Sequence, residues 1–527
     1  MQARTVPPRR SRLLIGVTAA MTLVIAFPGA ALGAHPHPNP APYVALTAAA
    51  AGGQIVPLIN SGDSYHDVIF EGIPDGIGVV PGSGTVDLYV THEQSHVPFD
   101  ADAGGPQPAF ADFQDSSVSR VTVTTGATKQ VVGLDVALSP DLGFVRFCSA
   151  FMAGPAEGFS DYTFFVNEES NDIIDVVPGA PYGADPAIAP YRQAGYSAAL
   201  NTATEDVTVL SRMGRHNHEN TVVVPGGWKW TASLSGDDTF TAPSSQLYLH
   251  TANDPDQVLS DKGQLWAFQV TATDDGSVDP FDPFNDANDY LEIGIGDDWS
   301  GRFIHVPTDV ARGLTGEAPQ AALENWSNAN NVFQFVRVED IAYDPDSPRT
   351  VYFADTGTTR LSESGTTGRL VRLSAGGTNS NGRIFKMVLN QKDPRRVDSF
   401  SIVLDADTIP AAQGGPMRNP DNLDVGHNSI MVQEDPPNNA KVWRHDLATG
   451  TWTHVATATQ TTAETSGIVD VSDWFGAGWW ALDVQSHVNK TETTTFQNYV
   501  TPITGVTIPY KERREDGQLL LMQIPGS

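Results

Sequence analysis

A short segment of the sequence, FVRVEDIAYDP at 335–345, carries an arginine beside acidic residues. Arg337 and Glu339 are two positions apart, so both side chains point to the same face of an extended strand. A guanidinium can bind two phosphate oxygens at once, and a cation held by the neighbouring carboxylate would offset the remaining negative charge. The segment therefore indicates a site for a phosphorylated ligand, with a weak surface ion pair as the alternative interpretation.

The single cysteine of the chain, Cys148, is a second candidate for chemistry. It has no partner for an intramolecular disulfide, and a thiolate is a good metal ligand. The alternative is a small buried apolar residue. The strand YTFFVNEE at 162–169 ends on Glu168 and Glu169, whose side chains point to opposite faces, so at most one of them can face a given site.

Two other segments suggest metals of different kinds. In GRHNHEN (214–220), His216 and His218 share a face and precede Glu219, as in a zinc hydrolase, but no further His or Asp stands at a characteristic zinc spacing. In DPFNDANDYLE (282–292), oxygen ligands are spaced as in a calcium loop, but the central glycine of an EF-hand is missing. We interpret the second segment as a solvated loop.

Several short apolar strands end on a residue that could ligate a metal. These residues are Glu93, Glu169, His250, Asp355, Glu434, Asp435, Gln485 and His487. In a β-propeller the innermost strands of all blades run toward one mouth of a central channel, where such residues would meet. Pro-Asp turns place Asp75 and Asp421 before two further strands. Carboxylates gathered in this way suit divalent cations. The alternative interpretation is that both Pro-Asp sequences are ordinary turns without a ligand role.

The elements that must position these residues are strands. Helical periodicity is scarce, whereas short alternating runs rich in Val, Tyr, Phe, Trp and Thr recur between Gly, Pro, Asp and Asn, and hairpin links join several of them. We predict an all-β protein that forms a single large β-propeller of about six blades, with five or seven as alternatives. Its long insertions are expected as loops at 97–115, 177–203, 274–300 and 307–334.

The N-terminal segment and the composition limit the classes of protein to which this chain can belong. Residues 1–34 combine arginines, an apolar run too short to span a bilayer and small residues before a cleavage point, which is typical of a signal peptide. We expect a secreted or periplasmic protein, with a weakly ordered lead-in at 35–60 and the propeller domain at 61–527.

The formal charge of −31 disfavours nucleic acid and anionic membranes as partners. Neither a Gly-x-Ser-x-Gly elbow nor a phosphate-binding Gly-Lys-Ser/Thr loop is present.

Read in order, these segments resemble the PhoX-type alkaline phosphatases, a family of exported β-propellers. The resemblance extends from about 62 to about 490, and the order of short motifs carries it: Asp75 with THE (91–93), SSVSRVTV (116–123), Cys148 with TFFVNEE (163–169), GRHNHEN (214–220), RVEDIAYDP (337–345), VYFADT (351–356), NGRIFKM (381–387), NPDNL (419–423), VQED (432–435) and ETSGI (464–468). Two segments depart from the family pattern. SAFMAG (149–154) replaces a run of small residues, and YLHTANDPDQ (248–257) stands where we expect a Gly-Asp-Asp-like strand end, with Asn253 and Asp254 as substitutes.

The resemblance implies phosphomonoester hydrolysis at a cluster of iron and calcium. Cys148 would ligate iron, and Glu219 and Glu339 would ligate or bridge the metals. Arg337, with Arg215 as a second candidate, would bind the phosphate. The further ligand candidates are Glu169 or Glu168, Glu93, Asp75 and Asp421. The substrate would be a small-molecule phosphate ester and the protein a monomer.

Two other functions stay open on the sequence alone. One is a calcium-dependent propeller lactonase or esterase, which needs neither a phosphate clamp nor iron. The other is a non-catalytic secreted propeller that keeps calcium for stability and binds a partner.

Overall fold

Six groups of four antiparallel strands, or blades, make up the fold in the computed structural model. The residues described are 40–93, 116–171, 194–239, 245–436, 438–491, 497–500, 507–510 and 513–527. The chain separates into two units, Met1–Gly33 and Ala34–Ser527, and every described residue belongs to the second. The predicted signal peptide at 1–34 and the loop expected at 97–115 therefore lie outside the described residues.

In blades 1 to 5 the four strands follow one another outward in the sequence, with the innermost strand first, whereas blade 6 takes its outermost strand from the N-terminal part of the chain. Before the blades come β1 (Val44–Leu46), β2 (Gln54–Asn60), β3 (Ser64–Tyr65) and β4 (Val68–Ile69). Blade 1 contains β5 (Pro74–Pro81), β6 (Thr85–His92), β7 (Ser117–Thr124) and β8 (Val131–Leu138). Blade 2 contains β9 (Phe147–Ala153), β10 (Thr163–Glu168), β11 (Ser197–Asn201) and β12 (Val207–Val209).

The two middle blades are joined into one continuous sheet. Blade 3 contains β13 (His218–Val223), β14 (Thr231–Asp237), β15 (Leu247–Ala252) and β16 (Gln264–Thr273), followed by β17 (Gly276–Ser277) and β18 (Trp299–His305). Blade 4 contains β19 (Val338–Asp344), β20 (Ser347–Asp355), β23 (Arg383–Leu389) and β24 (Arg396–Asp405), with a side hairpin of β21 (Leu361–Glu363) and β22 (Leu370–Arg372). Strand β18 pairs with both β16 and β24, so the outer edges of these blades are covered.

The last two blades each gain a strand from the N-terminal part of the chain. Blade 5 contains β25 (Pro420–Val425), β26 (Ser429–Glu434), β27 (Lys441–Asp446) and β28 (Thr451–Ala458). Blade 6 contains β29 (Glu464–Asp470), β30 (Trp479–Thr491) and β33 (Arg513–Gln523), with a side hairpin of β31 (Gln497–Val500) and β32 (Thr507–Tyr510). Strand β1 pairs with β28, and β2 completes blade 6 by pairing with β33 from Gln54 opposite Gln523 to Asn60 opposite Gln518.

The predicted fold class is confirmed, and the predicted lead-in is wrong in part. The innermost strands β5, β9, β13, β19, β25 and β29 contact one another in sequence, and β29 contacts β5, which closes the ring. The structure thus agrees with an all-β propeller of six blades. Residues 44–46 and 54–60, expected to be weakly ordered, are strands instead, because each covers the open edge of a blade.

Helices are short and lie outside the blades in the described residues. They are α1 (Pro255–Val258), α2 (Thr308–Ala311), α3 (Pro319–Ala329) and α4 (Ser472–Phe475), with 3-10 turns at Ala48–Ala50, Pro140–Leu142, Pro155–Glu157, Ser211–Met213, Ala406–Thr408 and Ala411–Gln413. The segment 307–334, expected as a loop, therefore contains two helices. None of the described helices has the length and apolar character needed to cross a bilayer.

A cluster of phenylalanines packs blade 3 against blade 4. Phe385 is fully buried, and its ring centroid lies 5.3 Å from that of Phe353, 5.4 Å from that of Phe335 and 5.4 Å from that of Phe400. Large aromatic side chains contribute strongly to a core because each removes a large apolar area from water.

We expect Phe385→Ala to lower the free energy of unfolding by about 3–5 kcal/mol, since it leaves a cavity among rings that cannot collapse into it. Phe281→Ala is the control, because Phe281 is 62% exposed and its truncation should change stability by less than about 0.5 kcal/mol. Denaturant unfolding of the metal-loaded protein measures both. Equal effects of the two substitutions would contradict this assignment of the core.

Candidate metal centre

One position recurs in the innermost strands. In five of the six blades the second residue of the innermost strand is a carboxylate or the thiol: Asp75 in β5, Cys148 in β9, Glu219 in β13, Glu339 in β19 and Asp421 in β25. In blade 6 the first residue of β29, Glu464, is the acidic one. Because every blade begins with its innermost strand, these residues lie at one mouth of the central channel.

A β-bulge accompanies this position in blades 1 to 5. The first residue of each innermost strand pairs with the last residue of the second strand, as Val338 does with Asp355, and the next pair skips one extra residue on the inner strand. The recurrent residue lies within the bulge. A bulge bends its strand and redirects a side chain, so the backbone turns these groups toward the mouth.

The second strand of each blade delivers its last residues to the same mouth, because it runs antiparallel to the first. The residues that directly follow β6, β10, β14, β20 and β26 are Glu93, Glu169, Asp238, Thr356 and Asp435. The strand ends identified in the sequence therefore belong mostly to second strands rather than to innermost strands. His250 is an exception, since it lies in the third strand of blade 3, opposite Ser233 and away from the strand end at Asp237.

The last residue of each of these second strands faces away from the mouth. Glu168 is fully buried and accepts the backbone amides of Val145, Gly195 and Tyr196 through its two carboxylate oxygens. Asp355 likewise accepts the amides of Val336 and Gly357. Of the two alternatives at the end of β10, Glu169 is therefore the residue at the mouth, and Glu168 fixes surrounding loops.

The predicted ligands form three overlapping groups. Asp75, Glu93 and Cys148 offer ligand atoms within 4.8 Å of one another; so do Cys148, Glu169 and Glu219, and so do Glu219, Glu339 and Asp421. Cys148 and Glu219 are shared, so the groups join into one centre. The structure thus brings together all seven residues that the sequence analysis proposed as metal ligands.

Burial of so many acidic groups makes their ionised forms costly. Burial raises the pKa of Asp75 and of Glu93 to about 7. Burial, with the charges of Glu339 and Asp75, raises the pKa of Glu219 well above its usual range. Burial also raises the pKa of the Cys148 thiol. A cation would reverse these shifts because it favours the ionised forms.

The set of donor atoms fits metal ions. Glu219 is almost fully buried, and among the described residues neither of its oxygens has a hydrogen-bond donor apart from the neighbouring Cys148 thiol. Buried polar atoms normally have partners, so these oxygens point to a cation. Carboxylate oxygens suit calcium, whereas the thiol adds a ligand that suits a transition metal such as iron.

Neutral side chains hold one side of the centre. Gln485 Nε2 donates to Asp75 Oδ2 at 2.9 Å and lies 3.2 Å from Glu93 Oε1, and Asn422 Nδ2 donates to Asp75 Oδ1 at 3.3 Å. The Cys148 thiol lies 3.4 Å from Asp75 Oδ2. These contacts position the carboxylates without neutralising them.

Arg337 lies beside the centre and is held by an aspartate that the sequence analysis missed. Its Nε donates to Asp238 Oδ1 at 2.7 Å and its Nη2 to Asp238 Oδ2 at 2.6 Å, while Nη2 lies 3.3 Å from Glu339 Oε1. The Arg337 side chain is 20% exposed, so a solute can reach it. Burial opposes its charge, but Asp238 and Glu339 keep the pKa of Arg337 well above its usual value.

Asp238 is the last residue of a Gly-Asp-Asp sequence, Gly236–Asp238, at the end of β14. A Cβ added to Gly236 would lie 2.6 Å from Val338 O and 2.9 Å from Glu339 O, so only glycine allows β14 to approach β19 this closely. Asn253 and Asp254 are exposed and cap α1, where Asp254 accepts the amide of Gln257. Neither residue belongs to a ligand group in the described part of the chain, so these contacts do not support the predicted substitution.

Asp435, one of the predicted strand ends, lies near the centre, and two further acidic residues there, Glu464 and Asp483, escaped prediction. The charges of Asp435 and Glu464 act on Asp421, and both oxygens of the fully buried Asp483 lack a hydrogen-bond partner among the described residues. His487 lies 3.2 Å from Glu464 and 3.0 Å from Glu515, and although burial opposes its charge these carboxylates raise its pKa to about 11. The signal for Asp483 was the alternation of WWALDVQ, which places it on the same face as Gln485.

Arg215, His216 and His218 are all fully buried. Arg215 is fully buried with its guanidinium 3.6 Å from the centroid of the Tyr196 ring, and its charge acts on Glu168. These contacts favour an anchoring role over contact with a substrate. His218 uses both ring nitrogens on Ser235 and Gly214, and its ring stacks on that of His216 at 3.7 Å. Neither histidine joins a possible metal group within the described residues, so the structure gives no support to zinc there.

A cavity of about 470 Å³ lies toward the other ends of the innermost strands. It is lined by apolar residues such as Val79 and Met152 and by carboxylates such as Asp340, Asp424 and Asp470, and by none of the seven ligand candidates. The carboxylates of this lining would repel a phosphate, which needs cations or hydrogen-bond donors.

We expect the metal-free protein to lose stability as the pH rises from 5 to 8. The pKa values of Asp75 and Glu93 rise from 3.8 and 4.5 to about 7 in the folded state, so the folded state binds more protons between these values and is destabilised by their loss. Thermal unfolding in chelator measures this slope. The double variant Asp75→Asn, Glu93→Gln separates it from general charge repulsion and should flatten it. A metal-free protein that is more stable at pH 8 than at pH 5 would contradict the expectation.

Comparisons with known proteins were made for sequence and for structure. The model of the family described as alkaline phosphatase PhoX matches residues 191–473, more than half of the chain. A search of curated proteins gave no match.

Among solved structures, the chain is similar to Pseudomonas fluorescens PhoX in complex with vanadate, a transition state analogue, with a TM-score of 0.61 and 14% identity over 91% of this chain and 96% of that chain. At this identity the likeness shows the fold alone. An aldose sugar dehydrogenase from Streptomyces coelicolor in its PQQ-bound form has a TM-score of only 0.32 and 13% identity over 90% of this chain and 99% of that chain, which carries no argument. The extent of the family match establishes that this chain belongs to the PhoX family of alkaline phosphatases.

Proposed function

We propose that this phosphatase hydrolyses phosphate monoesters at a calcium- and iron-containing centre built on Cys148, Glu219 and Glu339. The observation that carries the proposal is the reachable guanidinium of Arg337 beside three overlapping groups of carboxylates and a thiol. Membership of the family supports a phosphatase over the lactonase and over the non-catalytic propeller. The metals, their ligands and the phosphate contacts are the proposed part.

The residues divide by donor chemistry. Cys148 would ligate iron, with Glu169 and Glu219 of the same group as its neighbours, and Asp75, Glu93, Glu339 and Asp421 would bind calcium or bridge metals. When bound, such ions supply Lewis acidity and lower the pKa of water. The described residues contribute the arrangement of oxygens, because a bulge in each of blades 1 to 5 sets where a ligand points.

Arg337 would bind the phosphoryl group of the substrate. Asp238 accepts two of its N–H groups in a parallel pair, and this contact fixes the plane of the guanidinium before substrate arrives. A fixed cation stabilises the charge that develops on the phosphoryl oxygens without having to reorient during the reaction. Arginine suits this role better than lysine, because its guanidinium can donate two N–H groups to Asp238 and still present others to a phosphate.

Glu339 links the arginine to the ligands. One of its oxygens lies 3.3 Å from Arg337 Nη2 and accepts the Thr356 hydroxyl at 2.5 Å, and the same carboxylate belongs to the group with Glu219 and Asp421. A phosphate held by Arg337 would therefore lie next to any cation held by Glu339. This adjacency is what nucleophilic attack on phosphorus requires.

The setting of the enzyme is part of the proposal. The sequence of residues 1–34 supports export to the periplasm or the extracellular space, where calcium is abundant and a small-molecule phosphate ester would be the substrate. The single cysteine fits such a protein, because its stability rests on the core rather than on disulfides. We propose that it acts as a monomer.

We expect Arg337→Lys to lower kcat/KM for 4-nitrophenyl phosphate by roughly 10²- to 10³-fold, since a fixed guanidinium donor to the transition state is lost. Inhibition by inorganic phosphate should weaken in parallel. Arg395→Lys is the matched control, because Arg395 pairs with Asp393 at the surface at 2.8 Å, far from any ligand candidate in sequence. Steady-state kinetics on both variants measures the effect. Unchanged inhibition by phosphate in Arg337→Lys would refute the clamp.

We expect Cys148→Ser to lose iron and turnover while the fold is retained, because a hydroxyl of similar size is a poor ligand for iron at neutral pH. Metal analysis of the purified protein, circular dichroism and the 4-nitrophenyl phosphate assay with and without chelator provide the three measurements. Calcium alone in an inactive wild-type protein would defeat the proposal, and full turnover in Cys148→Ser would refute the ligand role.

A further inference from the structure

A second group of carboxylates lies away from the metal centre, between blades 3 and 4. Asp289 and Glu292, in the loop between β17 and β18, and Glu363, in the side hairpin β21–β22, offer oxygens within 4.8 Å of one another. None of the three belongs to the groups around Cys148. The loop is the segment 282–292 that the sequence analysis interpreted as solvated.

One oxygen of Asp289 is buried without a partner. Asp289 is fully buried, and its Oδ1 accepts the Leu291 amide at 2.7 Å. Its Oδ2 has no hydrogen-bond donor among the described residues. A buried carboxylate oxygen without a donor is rare and costly, so a ligand is expected to complete its contacts.

Glu292 is held in a similar way. Its Oε2 accepts the amides of Asn288 at 2.5 Å and Asp289 at 3.1 Å. These bonds fix the side chain and use one oxygen, which leaves Oε1 for the group. The loop thus fixes two carboxylates beside each other, and Glu363 adds a third from the exposed side.

In the described part of the chain no cationic side chain forms an ion pair with the group, although the charges of Arg369 and Arg383 act on Asp289. The nearby Arg369 donates to Asn331 Oδ1 at 2.7 Å and to the Val332 carbonyl at 2.5 Å. The nearby Arg383 donates to the Tyr290 carbonyl and forms its ion pair elsewhere, with Asp405 at 3.1 Å. Three like charges within 5 Å repel one another strongly, so a mobile cation or shared protons must offset them.

We propose that Asp289, Glu292 and Glu363 bind a calcium ion that fastens the β21–β22 hairpin to the loop of blade 3. Calcium takes carboxylate oxygens and waters in flexible geometry, which suits a site with two fixed ligands and one exposed ligand, whereas magnesium demands near-ideal octahedral geometry. The site differs from an EF-hand because its third ligand comes from another blade. It is separate from the proposed catalytic centre.

The contacts of the hairpin explain what such an ion does. Gly368, in the turn of the hairpin, has a φ of +63°, and a Cβ there would lie 1.9 Å from the Pro283 carbonyl. The Leu370 amide donates to Gln334 Oε1 at 2.8 Å. The hairpin is therefore docked on the loop and on the segment beside it, and a cation shared with Glu363 holds its first strand, β21, in the same place.

The experiment compares calcium content in the full-length exported protein. We expect Asp289→Asn to bind one calcium ion per chain fewer than the wild type in equilibrium dialysis with calcium, with iron content unchanged. Asp286→Asn is the matched control, because it removes an exposed charge from the same loop outside the group. Equal calcium content in Asp289→Asn and the wild type would overturn the proposal and favour shared protons.

A second measurement does not depend on the buried residue. We expect calcium to slow tryptic cleavage after Arg360, next to the hairpin, in the wild type and in Cys148→Ser, and to lose this effect in Glu363→Gln, which alters an exposed side chain and leaves the core intact. Protection that persists in Glu363→Gln would contradict the site. Because neither measurement uses phosphatase activity, failure of the proposed catalytic centre would leave both results readable.

Discussion

Mutual repulsion among buried carboxylates is the interaction on which the rest of this propeller depends. Glu219, Glu339 and Asp421 approach one another within 4.8 Å at one mouth of the channel, in surroundings that raise the pKa of each well above its usual range. Hydrophobic packing between blades, as in the phenylalanine cluster of blades 3 and 4, must hold the strands together against this repulsion. The same crowding makes the mouth receptive to cations, because a bound ion turns an unfavourable arrangement into a favourable one.

The same local backbone arrangement recurs in several blades and places one ligand candidate from each of them at the mouth. An innermost strand enters at the mouth, presents its second residue at a bulge, and is met by the end of its antiparallel neighbour. Alternation along the second strand then separates two roles: Glu168 and Asp355 bind loop amides on one face, while Glu169 and Thr356 reach the mouth on the other. Asp238, which directly follows the second strand of blade 3, binds Arg337, so the strand ends position both the proposed phosphate contact and the proposed metal ligands.

Much of this arrangement could be predicted from the sequence, and the failures have physical causes. Alternating apolar runs predicted the strands, and acidic strand ends predicted a shared mouth, because both follow from local periodicity. The choice of Glu169 over Glu168 could not be made, since it depends on which loops lie behind β10. Asp238 was missed because the strand before it, TASLSGD, is rich in small polar residues and carries a weak apolar signal. The roles of β1 and β2 are non-local, as their partners lie more than 400 positions later.

The pairing of β2 with β33 has a consequence for how the molecule reaches its folded state. Blade 6 needs strands from both ends of the propeller, so the ring cannot close until nearly the whole domain has been synthesised. Such a pairing has a high contact order, and closure is therefore expected to be slow and late. Until β2 and β1 have paired with them, the edges of β33 and β28 stay open, and the ring of blades is not yet closed.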